Sequence, residues 1–143
     1  MPTANTLPLL QSANLLLDDY YNVKICDFGL ARLKEITNDH TGNTGTVQWM
    51  APEVLGSQRY NEKADVYSFG VIMWELLTRE CPFEGLGQVQ VAMKVLNERT
   101  SVAVPEWCGL GLPTLAGLVK ACTAHEPERR PSFEMVLQQL EQL

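Results

Sequence analysis

Apolar and polar positions follow two different rhythms along the chain. Two short apolar runs, Leu15 to Leu17 and Val23 to Cys26, flank the acidic and polar segment Asp18 to Asn22, which predicts two strands joined by a turn. A polar stretch, Leu33 to Thr46, follows and predicts a surface loop. From Pro52 onward the apolar spacing is that of helices. The pattern therefore predicts a mainly helical protein with a short β-hairpin near its N-terminus.

The second half of the chain contains five segments with helical spacing. The segment Glu62 to Arg79 is apolar nearly all round, so we expect a central helix that is packed on every side. Between the third and fourth segments, Pro105 and Gly109 mark a predicted loop. The five predicted helices are Pro52 to Leu55, Glu62 to Arg79, Gln88 to Glu98, Pro113 to Ala124 and Ser132 to Leu143.

The last predicted helix begins at Ser132, which is a favourable N-cap residue. Its apolar residues recur at helical spacing and are expected to face inward. They are Phe133, Val136, Leu137 and Leu140.

Composition and charge exclude several functional classes. The 143 residues carry a net charge of −6, which disfavours nucleic acid and anionic membranes as partners. The longest apolar stretch, Val66 to Leu77, is too short to cross a bilayer. The four cysteines form no zinc pattern and are interpreted as reduced thiols, Cys26 most simply as a buried apolar residue. An intracellular protein is expected, cytoplasmic or nuclear.

Two short motifs carry the strongest signal. Asp27-Phe28-Gly29 ends the second predicted strand, and Ala51-Pro52-Glu53 follows the polar loop, in the order and spacing of a protein-kinase activation segment. Two later strings, Asp65 to Gly70 and Arg130 to Phe133, also match the family in order. The chain thus resembles the C-terminal lobe of a eukaryotic protein kinase. Ser12 to Asn14 and Gly45 to Glu53 are similar to the tyrosine-kinase-like group of Ser/Thr kinases, the Raf and mixed-lineage relatives.

The resemblance implies a fold and a domain division. It covers residues 12–143 as a partial kinase domain, from the end of the catalytic loop to the last helix. The implied fold is a mainly α kinase-like C-terminal lobe with a two-stranded hairpin and no N-terminal lobe. Residues 1–11 do not match and are expected to be poorly ordered.

The resemblance also implies ATP-dependent phosphorylation of protein Ser or Thr, with ATP and Mg²⁺ as cofactors and with protein substrates or signalling partners. Asn14 and Asp27 match the metal ligands, although the plainer interpretations are a strand-end cap for Asn14 and a turn residue for Asp27. Leu16 and Phe28 match the nucleotide site, and a core leucine is an equal alternative for Leu16. Thr46 matches the residue that orients the substrate hydroxyl.

Further positions match structural and regulatory roles. Glu53 and Arg130 match a buried ion pair. Asp65 matches the carboxylate that anchors the catalytic loop, and its plainer interpretation as a first-turn helix acid is compatible with that role. The loop threonines are candidate phosphorylation sites or simply solvated residues. They are Thr37, Thr41 and Thr44.

The residues before Asn14 depart from the family's H-R-D-L-K-x-x-N pattern. Leu9 stands at the catalytic Asp and cannot accept a proton, and Gln11 stands at the Lys that steadies the transferring phosphate. No Gly-rich loop or V-A-I-K lysine is found in the chain. We therefore expect this chain alone to be catalytically inactive and to bind ATP and Mg²⁺ weakly. The alternative hypothesis is a non-catalytic, pseudokinase-like module that competes for a kinase's partners.

Overall fold

The computed structural model describes residues 10–26 and 47–143. Three single 3₁₀ turns, at Ser12–Asn14, Val47–Trp49 and Pro127–Arg129, connect the regular elements. The strands are β1 (Leu15–Leu17) and β2 (Val23–Ile25). The helices are α1 (Pro52–Leu55), α2 (Lys63–Thr78), α3 (Gln88–Asn97), α4 (Glu106–Gly111), α5 (Pro113–Cys122) and α6 (Phe133–Leu140).

Strands β1 and β2 form the predicted hairpin. They are antiparallel, and Leu15 pairs with Ile25 and Leu17 with Val23. The Asp18 carboxylate organises the turn by accepting hydrogen bonds from the backbone amides of Tyr20 and Asn22. Its hydrogen bonds with Asn22 lower the pKa of Asp18 below its ordinary value. The expectation of two short strands joined by an acidic turn is confirmed.

Helix α2 is the centre of the molecule, because its sequence is apolar on several faces at once. One face contributes Val66, Met73 and Trp74 to a core shared with α5 and α6. Another face contributes Ala64, Tyr67 and Val71 to a core with Ala51. The helix ends where Arg79 adopts the left-handed conformation, with φ of 59°.

A close approach between α2 and α5 depends on Gly70. A Cβ atom at this position would lie 2.7 Å from Cys122 Cβ and 2.8 Å from Thr123 Cγ2. A third core, around Val47, Val91 and Val95, holds α3 against the turn at Val47–Trp49. The protein is therefore mainly α with one two-stranded sheet, as the pattern predicts.

Three expectations about the helices are wrong. The predicted loop after Pro105 contains helix α4, because Glu106 to Cys108 can begin a helix after a proline, and its two glycines lower helix propensity without preventing a short helix. On α6, Leu137 is 56% exposed and Phe133 is 39% exposed, since Val136 takes the inward position and α6 packs mainly on α5. Helix α2 is not covered on every side, because Leu76 in its last turn is 76% exposed.

Within the two described ranges, no helix combines the length and apolar character that a membrane crossing requires.

Candidate functional site

The structure describes only part of the predicted site. Asn14, Leu16, Glu53, Asp65 and Arg130 lie in the described ranges, as does Gln11. The other predicted positions lie outside the described residues and stay predictions. They are Leu9, Asp27, Phe28, Thr37, Thr41, Thr44 and Thr46.

Asn14 ends a 3₁₀ turn that leads directly into β1. The Asn14 amide donates to the Gln11 carbonyl at 3.0 Å, and the Asn14 carbonyl accepts from the Cys26 amide at 2.9 Å. The Cys26 thiol also reaches this carbonyl, at 3.3 Å. The hairpin register therefore places Cys26, the residue before Asp27 in the sequence, beside the backbone of Asn14.

Leu16 lies on β1 opposite Lys24. Its side chain is 54% exposed, so the alternative interpretation as a core leucine is wrong. An exposed leucine on a hairpin is available to contact a ligand or another part of a protein. Its assignment to the nucleotide site stays a prediction.

Glu53 and Arg130 form a two-pronged ion pair. Arg130 Nη1 lies 2.7 Å from Glu53 Oε1, and Nη2 lies 2.8 Å from Oε2. Glu53 is 5% exposed and Arg130 is 2% exposed. Because the partners lie 77 residues apart in the chain, this pair ties the start of α1 to the segment before α6.

Arg130 is saturated with hydrogen bonds beyond this pair. Its Nε donates to the Ala124 carbonyl, Nη1 also donates to the Lys63 carbonyl, and Nη2 also donates to the His125 carbonyl. A guanidinium has five N–H donors, and all five are used here. In return Lys63 Nζ donates to the Arg130 carbonyl at 2.6 Å. The Arg130 guanidinium also lies 5.1 Å from the ring centroid of Tyr67.

Comparison with known proteins agrees with the family that the four motifs indicate. A family model described as protein tyrosine and serine/threonine kinase matches residues 9–140. The chain belongs to the protein kinase family. The resemblance inferred from the motifs is thereby confirmed, and so is the mainly helical fold expected of a kinase C-terminal lobe.

Several curated kinases are similar to this one. The serine/threonine/tyrosine-protein kinase HT1 of Arabidopsis thaliana is 42% identical over 92% of this chain and 33% of its own length. The serine/threonine-protein kinase CTR1 of the same plant is 44% identical, over 94% of this chain and 16% of its own. The probable serine/threonine-protein kinase drkD of Dictyostelium discoideum is 43% identical, over 90% of this chain and 10% of its own length. The chain thus spans between 10% and 33% of the lengths of these relatives.

Asp65 of this kinase chain lies in the first turn of α2. Burial raises the pKa of its carboxyl above the ordinary value. The catalytic-loop positions before residue 10 lie outside the described residues, so the anchoring role of Asp65 stays a prediction.

Glu75, later on α2, was not among the predicted site residues. Its Oε1 accepts from Ser12 Oγ at 3.0 Å, and its Oε2 accepts from Trp49 Nε1 at 2.8 Å. Burial raises the pKa of Glu75, while these two hydrogen bonds act in the opposite direction. The available signal was a lone acid inside an otherwise apolar run, because such an acid requires polar partners.

The four cysteines are free thiols, as predicted. Cys108 and Cys122 are buried, and Cys26 is half-buried rather than fully buried. Burial raises the pKa of Cys122 to about 12, against the opposing effects of the Arg130 and Lys63 charges. This thiol therefore stays protonated and contributes to packing in the kinase lobe.

Proposed function

We propose that this chain forms the substrate-side lobe of an ATP-dependent protein Ser/Thr kinase domain. We further propose that the 143-residue polypeptide by itself transfers no phosphate. The observation that carries the first part is the backbone pairing of Asn14 with Cys26, the residue before Asp27. This pairing supports a site in which Asn14 and Asp27 act together.

The residue types at this site suit a magnesium nucleotide. Asn14 offers an amide oxygen and Asp27 a carboxylate, both of which are hard donors that Mg²⁺ accepts. When bound, Mg²⁺ and ATP would supply the phosphoryl group and neutralise its charge. The chain's own contribution is to hold these oxygens in place and, through Thr46, to orient a substrate hydroxyl.

The proposed inactivity depends on two residues before Asn14 that depart from the family's catalytic-loop pattern. Leu9 has no group that can take a proton from a substrate hydroxyl, and Gln11 brings no positive charge to the transferring phosphate. Loss of a single group that stabilises the transition state costs about 10²–10³ in rate. Loss of both, together with the nucleotide-binding lysine, is expected to remove measurable turnover of this polypeptide.

A kinase assay tests the inactivity. The 143-residue chain is incubated with Mg·ATP and a Ser/Thr peptide, and phosphate transfer is measured beside an Asp27→Ala variant. We expect no transfer above background in either sample. Transfer that Asp27→Ala abolishes would refute the proposal, whereas transfer that is equal in both samples indicates a contaminating kinase.

The proposed metal site has its own test. Mn²⁺ replaces Mg²⁺ as a paramagnetic probe, and broadening of the Asn14 side-chain amide resonance is followed with and without ATP. Broadening that depends on the Asp27 carboxylate supports the assignment. Equal broadening in the Asp27→Ala variant would argue against paired ligands at Asn14 and Asp27.

The whole protein is proposed to act in the cytoplasm on protein substrates in a signalling pathway. The similarity to named Ser/Thr kinases supports this proposal.

A non-catalytic role is the second candidate, favoured by the exposed leucine and valine side chains of the hairpin, Leu17 at 63% and Val23 at 61%. It predicts that a signalling protein binds the chain with an affinity that removal of Mg·ATP does not change.

A further inference from the structure

Helix α2 holds two separate segments of the proposed site with a single carboxylate. Ser12, which begins the turn that ends at Asn14, donates to one oxygen of Glu75. Trp49, which ends the turn directly after Thr46, donates to the other oxygen. The two donors lie 63 and 26 residues from Glu75 in the chain, so only the folded structure brings them to the same group.

A second contact fixes Trp49 to the same face of α2. Ser68 Oγ donates to the Trp49 carbonyl at 2.7 Å, and Ser68 precedes Glu75 by two helical turns. Trp49 is therefore held at both its backbone and its indole. Ser12 by contrast is attached to α2 through Glu75. The end of its turn is attached to the hairpin, where the Asn14 carbonyl accepts from the Cys26 amide.

We propose that Glu75 is a positioning residue that couples the turn carrying Asn14 to the segment around Trp49. The inference rests on the proposed kinase function, in which the first segment lies on the metal side and the second on the substrate side. Both carboxylate oxygens of Glu75 accept hydrogen bonds from these two segments. Glu75 acts by keeping Ser12 and Trp49 at a fixed separation.

A carboxylate suits this role better than any other side chain. Ionised Glu accepts hydrogen bonds on both oxygens, whereas Gln offers one acceptor oxygen and two N–H donors. A change of the donor on one oxygen alters the charge on the other, so that the two hydrogen bonds influence each other. An amide in place of Glu75 would keep at most one of the two contacts.

Tryptophan indole resonances of the full 143-residue chain provide the test. The chain contains three tryptophans, and the Trp74 indole donates to the Ala103 carbonyl and not to Glu75. The ¹⁵N–¹H indole spectrum is recorded for the wild type, Ser12→Ala, Glu75→Gln and the control Glu80→Gln. Glu80 is exposed and lies just beyond α2.

In Ser12→Ala we expect the Trp49 indole peak to shift by more than its linewidth, although the substituted side chain is hydrogen-bonded to Glu75 and not to Trp49. Glu75→Gln should shift it further. The Trp74 and Trp107 peaks should stay in place, and Glu80→Gln should move none of the three. Ser12 lies at the edge of the described fold, so we expect Ser12→Ala to fold. This variant therefore gives a result even if Glu75→Gln does not fold.

A Trp49 peak that stays at its wild-type position in Ser12→Ala would overturn the coupling, whatever Glu75→Gln does. Shifts of all three indoles would also overturn it, because they would indicate a general loosening of the lobe. Neither nucleotide nor metal enters this measurement. Its failure would therefore leave the proposed kinase function standing, and failure of the kinase or Mn²⁺ experiments would leave the coupling standing.

Discussion

Arg130 uses every hydrogen-bond donor of its guanidinium on groups from several parts of the chain. Its five donors have five acceptors, and its guanidinium lies over the ring of Tyr67. The sequence resemblance implied only the partnership with Glu53. The backbone acceptors at Lys63, Ala124 and His125 could not be predicted, because no local pattern marks a carbonyl that a distant side chain will reach.

Removal of either partner of this ion pair is expected to destabilise the lobe strongly. Glu53→Gln should lower the free energy of unfolding by roughly 3–5 kcal/mol, because the buried Arg130 charge loses its counter-ion. Urea denaturation followed by far-UV circular dichroism measures the loss. Arg129→Ala is the matched control, since the neighbouring arginine is exposed and lies 3.8 Å from Glu126. That control should change stability by at most about 0.5 kcal/mol. Equal losses in both variants would contradict the assigned role of the buried pair.

Asp65 leads to a prediction about pH. Burial raises its pKa in the folded chain, so the folded state binds this proton more tightly than the unfolded state. The contribution of Asp65 to stability is therefore largest in acid and declines as the pH rises above the ordinary value of 3.8. In Asp65→Asn this decline is absent, and the variant should gain stability relative to the wild type as the pH rises above 3.8.

Denaturation at several pH values measures this gain. Glu134 supplies a comparison of opposite sign, because a hydrogen bond from Ser132 lowers its pKa. Its stabilising contribution is lost as the pH falls below the ordinary value of 4.5. Glu134→Gln should therefore lose stability relative to the wild type as the pH rises through this range. If Asp65→Asn instead destabilises the lobe at pH 7, then ionised Asp65 does anchor another segment.

At the scale of elements, spacing predicted the helices and the hairpin well. It failed at α4, where Pro105 and Gly109 indicated a loop, and at the inner face of α6. The formation of α4 and the orientation of α6 both depend on packing against α5. Short helices gain most of their stability from packing, which local propensity does not describe.

The crossing of α2 and α5 gives a prediction for Gly70. Gly70→Ala adds a methyl group 2.7 Å from Cys122 Cβ. It should destabilise the protein by about 1–3 kcal/mol, although alanine favours helices over glycine. Gly117→Ala on α5 is the matched control, because nothing lies within 4 Å of its added Cβ. The control should stabilise the protein by roughly 0.5–1 kcal/mol. Thermal melts compare the two, and a stabilised Gly70→Ala variant would refute the tight crossing.

At the scale of the whole molecule, the exposed apolar surface is the main feature. Leu17 and Val23 are opposed on the hairpin and both are largely exposed, and Leu76 on α2 is 76% exposed. Side chains of this kind mark surfaces that another protein segment covers, or sites of aggregation.

The isolated chain should therefore bind a hydrophobic dye. A double variant, Leu17→Thr with Val23→Thr, keeps strand-forming residues while removing apolar surface, and should lower the dye fluorescence without a loss of helical circular dichroism. The matched control replaces the exposed polar hairpin residue Asp19 by Ser. Dye fluorescence that is unchanged in the double variant would show that the hairpin is not the binding surface.

Motif order and helical periodicity were enough to predict the kinase family, the mainly α fold and the hairpin, since these depend on local spacing and on short strings of residues. The spacing also pointed to α2 as the central helix. The tertiary structure alone decided which side chains meet: Glu75 with Ser12 and Trp49, Arg130 with its backbone acceptors, and Gly70 with α5. Such contacts join residues far apart in the chain, and their geometry follows from the packing of whole elements, which no single stretch of sequence specifies.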